Sequence, residues 1–167
     1  MVRSLIEFGL KEWEEGKTVA EHIFGVLDDL DLHEMIDNRM HTEMITLYRQ
    51  WYSDGLEPTE KNFLYHDNPE MNSRIITVME VETEISPNWK EHYKGHIPTR
   101  EELYRTEVIS TLNYLQLRKI KRLMKENLEA MEKTSDPEQQ MLFLQTHQLL
   151  KKMETDITSQ SGMVIYK

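Results

Sequence analysis

A long apolar periodicity in the second half of the chain constrains the fold more than any other feature. It opens with the capping box 99-TREE-102, and no Gly or Pro interrupts it before 134-TSDP-137. A helix of about 35 residues would be on the order of 50 Å long. That length exceeds a compact small bundle, so we expect the second half of the helix to project. Asp136 and Pro137 then predict a return helix that ends near Gly162.

The rest of the chain also favours helix. The phrase 18-TVAE-21 is a second capping box, Asn38 can cap a longer helix, and 68-NP-69 combines a cap with a first-turn proline. A further short helix is expected within 85–98, and no strand-like alternation extends beyond a few residues. The sequence therefore predicts an all-α fold, with a helical bundle over 1–117, a helical hairpin over 118–160 and a tail over 161–167.

Charge and composition restrict the functional classes. The net charge is −10, with 9 basic and 20 acidic side chains in 1–98 against 11 and 10 in 99–167. The uneven balance indicates two subdomains. The net charge argues against non-specific nucleic-acid binding by the whole chain, and we expect no direct sequence-specific binding either. With no Cys there is no disulfide and no thiol nucleophile, so a reducing cytoplasm is the simplest setting. No signal peptide and no apolar run of about 20 residues is present, so we expect no membrane partner.

Motifs for catalysis or metal binding are missing from the sequence. His92 and His96 are four residues apart, but Gly95 and Pro98 argue against an uninterrupted helix there, and HExxH does not occur. No P-loop, GxSxG or GxGxxG is found either. We therefore expect no catalytic residue, no metal ligand and no cofactor in this chain, and an enzyme in its own right is the least favoured interpretation.

The predicted hairpin has more apolar rows than two helices can bury. The seam of the outgoing helix comprises Leu117, Ile120, Met124, Leu128 and Met131. The seam of the return helix comprises Leu142, Leu149, Met153 and Ile157. The return helix carries two further sets, Phe143, His147 and Leu150 in one row, and Met141 and Leu144 in another. These surplus rows should pack on the bundle, on a copy of the chain or on the helices of a partner.

A basic run lies at the start of the predicted hairpin. It consists of Arg118, Lys119, Lys121, Arg122 and Lys125. It could contact phosphates or an acidic protein tail, or it could be a solvated helix face whose Lys and Arg stems cover apolar surface. No aromatic residue interrupts the run, unlike the stacking platforms of single-strand binders.

Several stretches resemble a known family when they are taken in order. They are 2-VRSLIEFG-9, 85-ISPNWKEHY-93, 112-LNYLQLRKIKRLMKEN-127, 140-QMLFLQTHQLLKKMETDI-157 and 161-SGMVIYK-167. Together they resemble the C-terminal helicase-binding domain of bacterial DnaG-type DNA primase, in a Bacteroidetes-like version, over nearly the whole chain. None of these motifs is catalytic.

The resemblance implies a fold, a function and partners. Such domains are a helical bundle, similar to the N-terminal domain of the replicative helicase, followed by a helical hairpin. They bind the N-terminal domains of the hexameric DnaB-type helicase and recruit primase to the replication fork in the cytoplasm. Some members also bind the acidic tail of single-strand-binding protein, which is a further partner that the resemblance implies. The parent primase, a nucleotidyltransferase, would use zinc and magnesium in regions that this chain does not contain, so we expect a fragment without polymerase activity.

Specific contact residues follow from combining the resemblance with the surplus rows. The expected helicase-binding residues are Leu123, Met141, Phe143, Leu144, His147 and Leu150. Arg118, Arg122 and Lys125 are expected to steer the partner electrostatically. Two alternatives stay open, namely the N-terminal domain of a replicative helicase and a self-associating helical scaffold. The ending GMVIYK favours primase over helicase, since helicase chains continue into an ATPase domain.

Overall fold

The computed structural model describes residues 1–80 and 99–161, with side chains through residue 159. The prediction of an all-α fold is confirmed, since helices make up most of the described residues and the strands among them form a single two-stranded sheet. The helix expected within 85–98, the histidine pair at 92 and 96, and the tail from 162 lie outside the described residues.

The described elements follow one another in a simple order. They are α1 (Val2–Phe8), β1 (Glu12–Glu14), β2 (Lys17–Thr18), α2 (Val19–Asp29), a 3-10 turn (His33–Met35), α3 (Arg39–Ser53), α4 (Glu60–Leu64), α5 (Pro69–Met79), α6 (Arg100–Lys133) and α7 (Pro137–Ser161). The chain forms two compact units, residues 1–109 and 110–167. The boundary lies inside α6, at an earlier point than the position after Leu117 that the sequence suggested.

The helix starts agree with the capping residues that the sequence identified. Thr18 Oγ1 accepts a hydrogen bond from the Glu21 amide at 3.2 Å, while the Glu21 carboxylate accepts one from the Thr18 amide at 2.7 Å. Thr99 makes the same reciprocal pair at the start of α6. Asn38 and Asn68 each accept from an amide in the first turn of their helices. Each cap satisfies amide donors that the helix itself leaves unpaired.

The first unit has an apolar core that α1, α2 and α3 share with α4 and α5. Its fully buried side chains include Leu5, Val19, Ile23, Leu27, Met44, Tyr48, Phe63 and Ile75. Tyr48 is an exception in this core, because its buried hydroxyl has no hydrogen-bond partner within the part of the chain that the structure describes. Desolvation raises the pKa of Tyr48 well above its ordinary value.

A small antiparallel hairpin, β1 and β2, was missed by the sequence-based prediction. Trp13 is buried between exposed Glu12 and Glu14, and Gly16 in the turn has a φ of +76°. The Trp13 ring stacks on His22 of α2, with centroids 4.1 Å apart. The alternation covers three residues only, and a hairpin this short depends on packing against α2, so local pattern could not predict it.

The second unit contains the expected helical hairpin. Helix α6 continues without a break from Arg100 to Lys133, a continuity that the sequence left open, and a short turn leads into α7. Two side chains of α7 hold the turn: Gln139 accepts from the Thr134 hydroxyl at 3.0 Å, and Gln140 donates to the Thr134 carbonyl at 2.9 Å. Asp136 caps α7 by accepting from the Glu138 amide at 3.1 Å, as the sequence suggested.

Candidate functional site

The solvent-facing side of α7 carries an unusual number of large apolar side chains. Leu142 and Leu149 are 61% and 60% exposed. The full set, here called the outer face of α7, comprises Met141, Leu142, Leu144, Leu149 and Met153. These residues lie along about 18 Å of one helix at 1.5 Å per residue. Single exposed leucines are ordinary, but several along one helix indicate an interaction surface.

The opposite side of α7 is protected from solvent. Leu150 is 8% exposed, and Phe143, His147 and Ile157 are half-buried. Their spacing places them on one side of the helix. The Asn127 side chain of α6 donates a hydrogen bond to the Phe143 carbonyl at 2.9 Å, so this side of α7 faces α6.

The predicted assignment of rows on α7 is therefore wrong in part. Leu142, Leu149 and Met153 were expected in the seam with α6, yet they are exposed. Phe143, His147 and Leu150 were expected as surplus contact residues, yet they form the protected row.

The physical reason is that both rows have helical spacing and similar apolar content. Their pattern alone therefore does not decide which row turns toward α6. The other α7 seam residue, Ile157, is half-buried as expected.

The expected exposure of Met141 and Leu144 and most of the expected α6 seam agree with the structure. Met141 and Leu144 are exposed, as a partner-binding role requires. On α6 the seam holds at Leu117 and Ile120, which are buried, and at Met124 and Met131, which are half-buried, whereas Leu128 is exposed. Leu123 is 36% exposed, so it remains accessible at the edge of the hairpin.

The His147 ring belongs to the protected row rather than to a polar contact surface. Its Nδ1 atom is buried and has no hydrogen-bond partner among the residues described. A buried polar atom of this kind costs free energy when it is left unpaired. His147 is therefore half-buried in the protected row, with its Nδ1 atom turned away from solvent.

Basic side chains cover one side of α6 in the second unit. Lys121 and Arg122 are exposed, and Lys125 has 79% of its side chain exposed. Arg122 and Lys125 pair along the helix with Glu126 and Glu129 at 3.7 and 3.8 Å. Exposed ion pairs of this length contribute little to folding stability. A polyanion can therefore replace the glutamates as the partner of these cations at a small cost in free energy.

Arg118 is the third residue that was expected to steer a partner. It is half-buried, and its guanidinium lies 6.0 Å from the centre of the Tyr114 ring. The sequence-based prediction overlooked Tyr114 because it precedes the basic run by one helical turn. The i, i+4 spacing to Arg118 was the signal that could have identified it.

Two polar features stand out among the described residues of the first unit, a surface depression and a contact between His41 and Arg74. Among the residues described, no three His, Asp or Glu side chains lie close enough to hold a metal ion. A surface depression of about 500 Å³ opens where α3 and α5 begin, lined by Asp37, Asn38, Arg39, Met40, Glu43, Asn68 and Glu70. Nearby, His41 accepts a hydrogen bond from Arg74 at 3.1 Å, and partial burial together with the Arg74 charge lowers the pKa of His41. Neither feature places a nucleophile beside a base.

The comparisons with known proteins give a family for the whole chain. A family model described as a domain of unknown function, DUF8430, matches residues 1–165. The chain belongs to this family. No curated protein and no solved structure gives a significant match. None of the described helices has the length and apolar character needed to cross a membrane.

Proposed function

We propose that this chain is a non-catalytic interaction domain of a DnaG-type primase, and that it binds the N-terminal domains of the hexameric DnaB-type replicative helicase. The outer face of α7 is the observation that carries the proposal. The resemblance of 112-LNYLQLRKIKRLMKEN-127 and 140-QMLFLQTHQLLKKMETDI-157 to the helicase-binding domain supplies the identity of the partner.

The outer face of α7 resembles helix surfaces that pack against the helices of another protein. Its apolar side chains lie along a solvent-facing strip that also carries the uncharged Gln145 and Gln148 and, near its end, the charged Lys152. A partner with an apolar groove or a second helix pair would bury these side chains without stranding many charges. Leu142 and Leu149 replace Phe143, His147 and Leu150 as the expected anchors, with Met141, Leu144 and Met153 beside them.

The basic side of α6 would contribute mainly to the rate of association. Arg118, Arg122 and Lys125 create a local positive potential on a chain whose overall net charge is −10. Such a potential steers an acidic partner surface and increases the association rate constant more than the affinity. The functional consequence of docking is tethering, because a linked polymerase would then act at a raised effective concentration near the single strand.

The direct test is calorimetric titration of the chain into the hexameric helicase of the same bacterium. The variant Leu142→Ala/Leu149→Ala removes the two most exposed anchors of the outer face, and we expect it to weaken binding by at least about tenfold. The matched control is Leu30→Ala/Leu56→Ala, which truncates two exposed leucines of the first unit. Both variants should keep the helical content of the parent chain.

The possible results separate the competing functions. Loss of binding in the α7 variant alone supports the proposal. Equal binding by both variants would exclude the outer face as the docking surface. The self-associating scaffold becomes the better interpretation if the parent chain does not bind helicase and sediments as a dimer, while the α7 variant sediments as a monomer.

A further inference from the structure

One side of α6 combines an exposed aromatic ring with a row of basic side chains. The members are Tyr114, Arg118, Lys121, Arg122 and Lys125, here called the basic stripe. Their spacing of four, three, one and three residues places them along one side of a helix. The apolar seam residues Leu117, Ile120 and Met124 lie on the adjacent side of this helix and are buried or half-buried.

The composition of the basic stripe differs from that of an ordinary solvated face. A solvated helix face mixes both charge signs, as the following turns of α6 do with Glu126, Glu129 and Glu132. Between Tyr114 and Lys125, by contrast, α6 has no acidic residue. The chain therefore concentrates positive charge on one short segment of one helix, although its overall charge is strongly negative.

The Tyr114 ring supplies a second chemistry on the same surface. It is 57% exposed, and the Arg118 guanidinium lies 6.0 Å from its centre. This cation–π contact orients the ring at one end of the row of charges. A large exposed aromatic ring beside phosphate-binding cations is the combination that single-strand binders use, since the ring stacks on a base while the cations contact the backbone.

We propose that the basic stripe binds single-stranded nucleic acid without sequence preference, with Tyr114 stacking on one base and the following basic side chains contacting the phosphates. A duplex fits less well, because its bases are already stacked on one another and leave no free face for Tyr114. An acidic peptide could satisfy the cations, but it would make no use of the exposed ring. Arg118, Arg122 and Lys125 are also the residues proposed to steer the helicase. The nucleic-acid proposal nevertheless does not rest on helicase binding, because it is tested with the chain and an oligonucleotide alone.

The length of the basic stripe sets the expected number of nucleotides it contacts and the salt dependence of binding. Tyr114 and Lys125 are separated by about 16 Å along the helix. Stacked nucleotides repeat at about 3.4 Å per strand, so the stripe spans roughly four or five nucleotides. With about three phosphates neutralised, the logarithm of the binding constant should fall with the logarithm of salt concentration at a slope of about −2. A threefold rise in salt should then weaken binding roughly tenfold.

The experiment measures the fluorescence anisotropy of a labelled oligothymidine of twelve nucleotides that is titrated with the intact chain at several salt concentrations. The variant Tyr114→Leu removes stacking, retains helix propensity and should weaken binding at least about fivefold. The variant Lys121→Gln/Lys125→Gln removes two phosphate contacts and should reduce the salt slope by about 1.4. The control is Lys151→Gln/Lys152→Gln on α7, which makes the same change in net charge and also breaks one ion pair along its helix.

Each result has a defined meaning. The proposal is supported if the parent chain binds in a salt-dependent way, both stripe variants bind more weakly and the α7 control binds as the parent does. Failure of the parent chain to bind at about 100 μM and low salt overturns it. Equal loss in the control variant also overturns it, because the attraction would then be diffuse. If a twelve-residue oligoglutamate competes as well as the oligonucleotide and Tyr114→Leu binds normally, the occupant is an acidic peptide and the nucleic-acid proposal is wrong.

Discussion

Substituting Gly9 tests the packing of the first unit most sharply. Gly9 follows α1 with φ −55° and ψ −33°, a backbone conformation that alanine adopts freely. On conformational grounds alone, Gly9→Ala should stabilise the chain by about 0.4–1 kcal/mol, because alanine restricts the unfolded state. A Cβ at this position, however, would lie 2.1 Å from the Tyr48 hydroxyl oxygen and 2.3 Å from the Leu5 carbonyl oxygen.

The steric cost decides the sign of the effect. One of the two clashing atoms is backbone, and the Tyr48 ring is fully buried, so neither can move away freely. Overpacking of a core costs about 1–3 kcal/mol, and two simultaneous clashes place this site at the upper end. We therefore expect Gly9→Ala to reduce the free energy of unfolding by about 2–3 kcal/mol.

Urea denaturation followed by tryptophan fluorescence provides the measurement, since all three tryptophans lie within 1–109. Tyr48→Phe provides the matched variant. It removes a hydroxyl that has no hydrogen-bond partner among the described residues, so it should be neutral or stabilising by up to about 1 kcal/mol. In the double variant the closest clash with Tyr48 disappears, and we expect roughly 1 kcal/mol of the Gly9→Ala loss to be recovered. A Gly9→Ala chain as stable as the parent, or additive effects in the double variant, would refute the reasoning.

Three further predictions concern stability. Leu150→Ala should destabilise the second unit by about 2–5 kcal/mol, whereas Leu149→Ala, one residue away but exposed, should stay within about 0.5 kcal/mol, as measured by thermal unfolding followed by circular dichroism. Asn127→Ala should cost about 0.5–1.5 kcal/mol by removing the hydrogen bond between the helices, and amide exchange in α7 should increase; unchanged exchange would contradict this. The Arg49 guanidinium holds the pKa of Asp28 at about 2, below its ordinary 3.8. The pair therefore stabilises the folded chain above about pH 4, and this stabilisation is lost as the pH falls toward 2. Asp28→Asn should lower the free energy of unfolding by less than about 1 kcal/mol at pH 7 and should leave it unchanged near pH 2.

Much of the candidate site was accessible from the sequence. The hairpin itself, its turn at Asp136 and the exposure of Met141 and Leu144 follow from apolar periodicity and from one capping residue. The choice between the two main apolar rows of α7 was not accessible. Each row satisfies the helical repeat, and choosing between them requires the position of α6, whose Asn127 contacts the Phe143 backbone.

Sequence determined those features that depend on neighbouring residues. Helix starts at Thr18, Asn38, Asn68 and Thr99 need only a side chain that reaches an amide two or three residues away, so the pattern predicts them directly. The lack of Gly and Pro allows α6 to be long, but the sequence left its continuity open, and the structure shows one unbroken helix.

Tertiary structure alone decided the features that join distant segments. The approach of Tyr48 to Gly9, the packing of the β1–β2 hairpin on α2 and the rotation of α7 about its own axis each depend on where another element lies. Their free energy comes from burying surface between elements that are far apart in the chain. A repeat of 3.6 residues identifies the apolar sides of a helix, but the partner element decides which of those sides is covered.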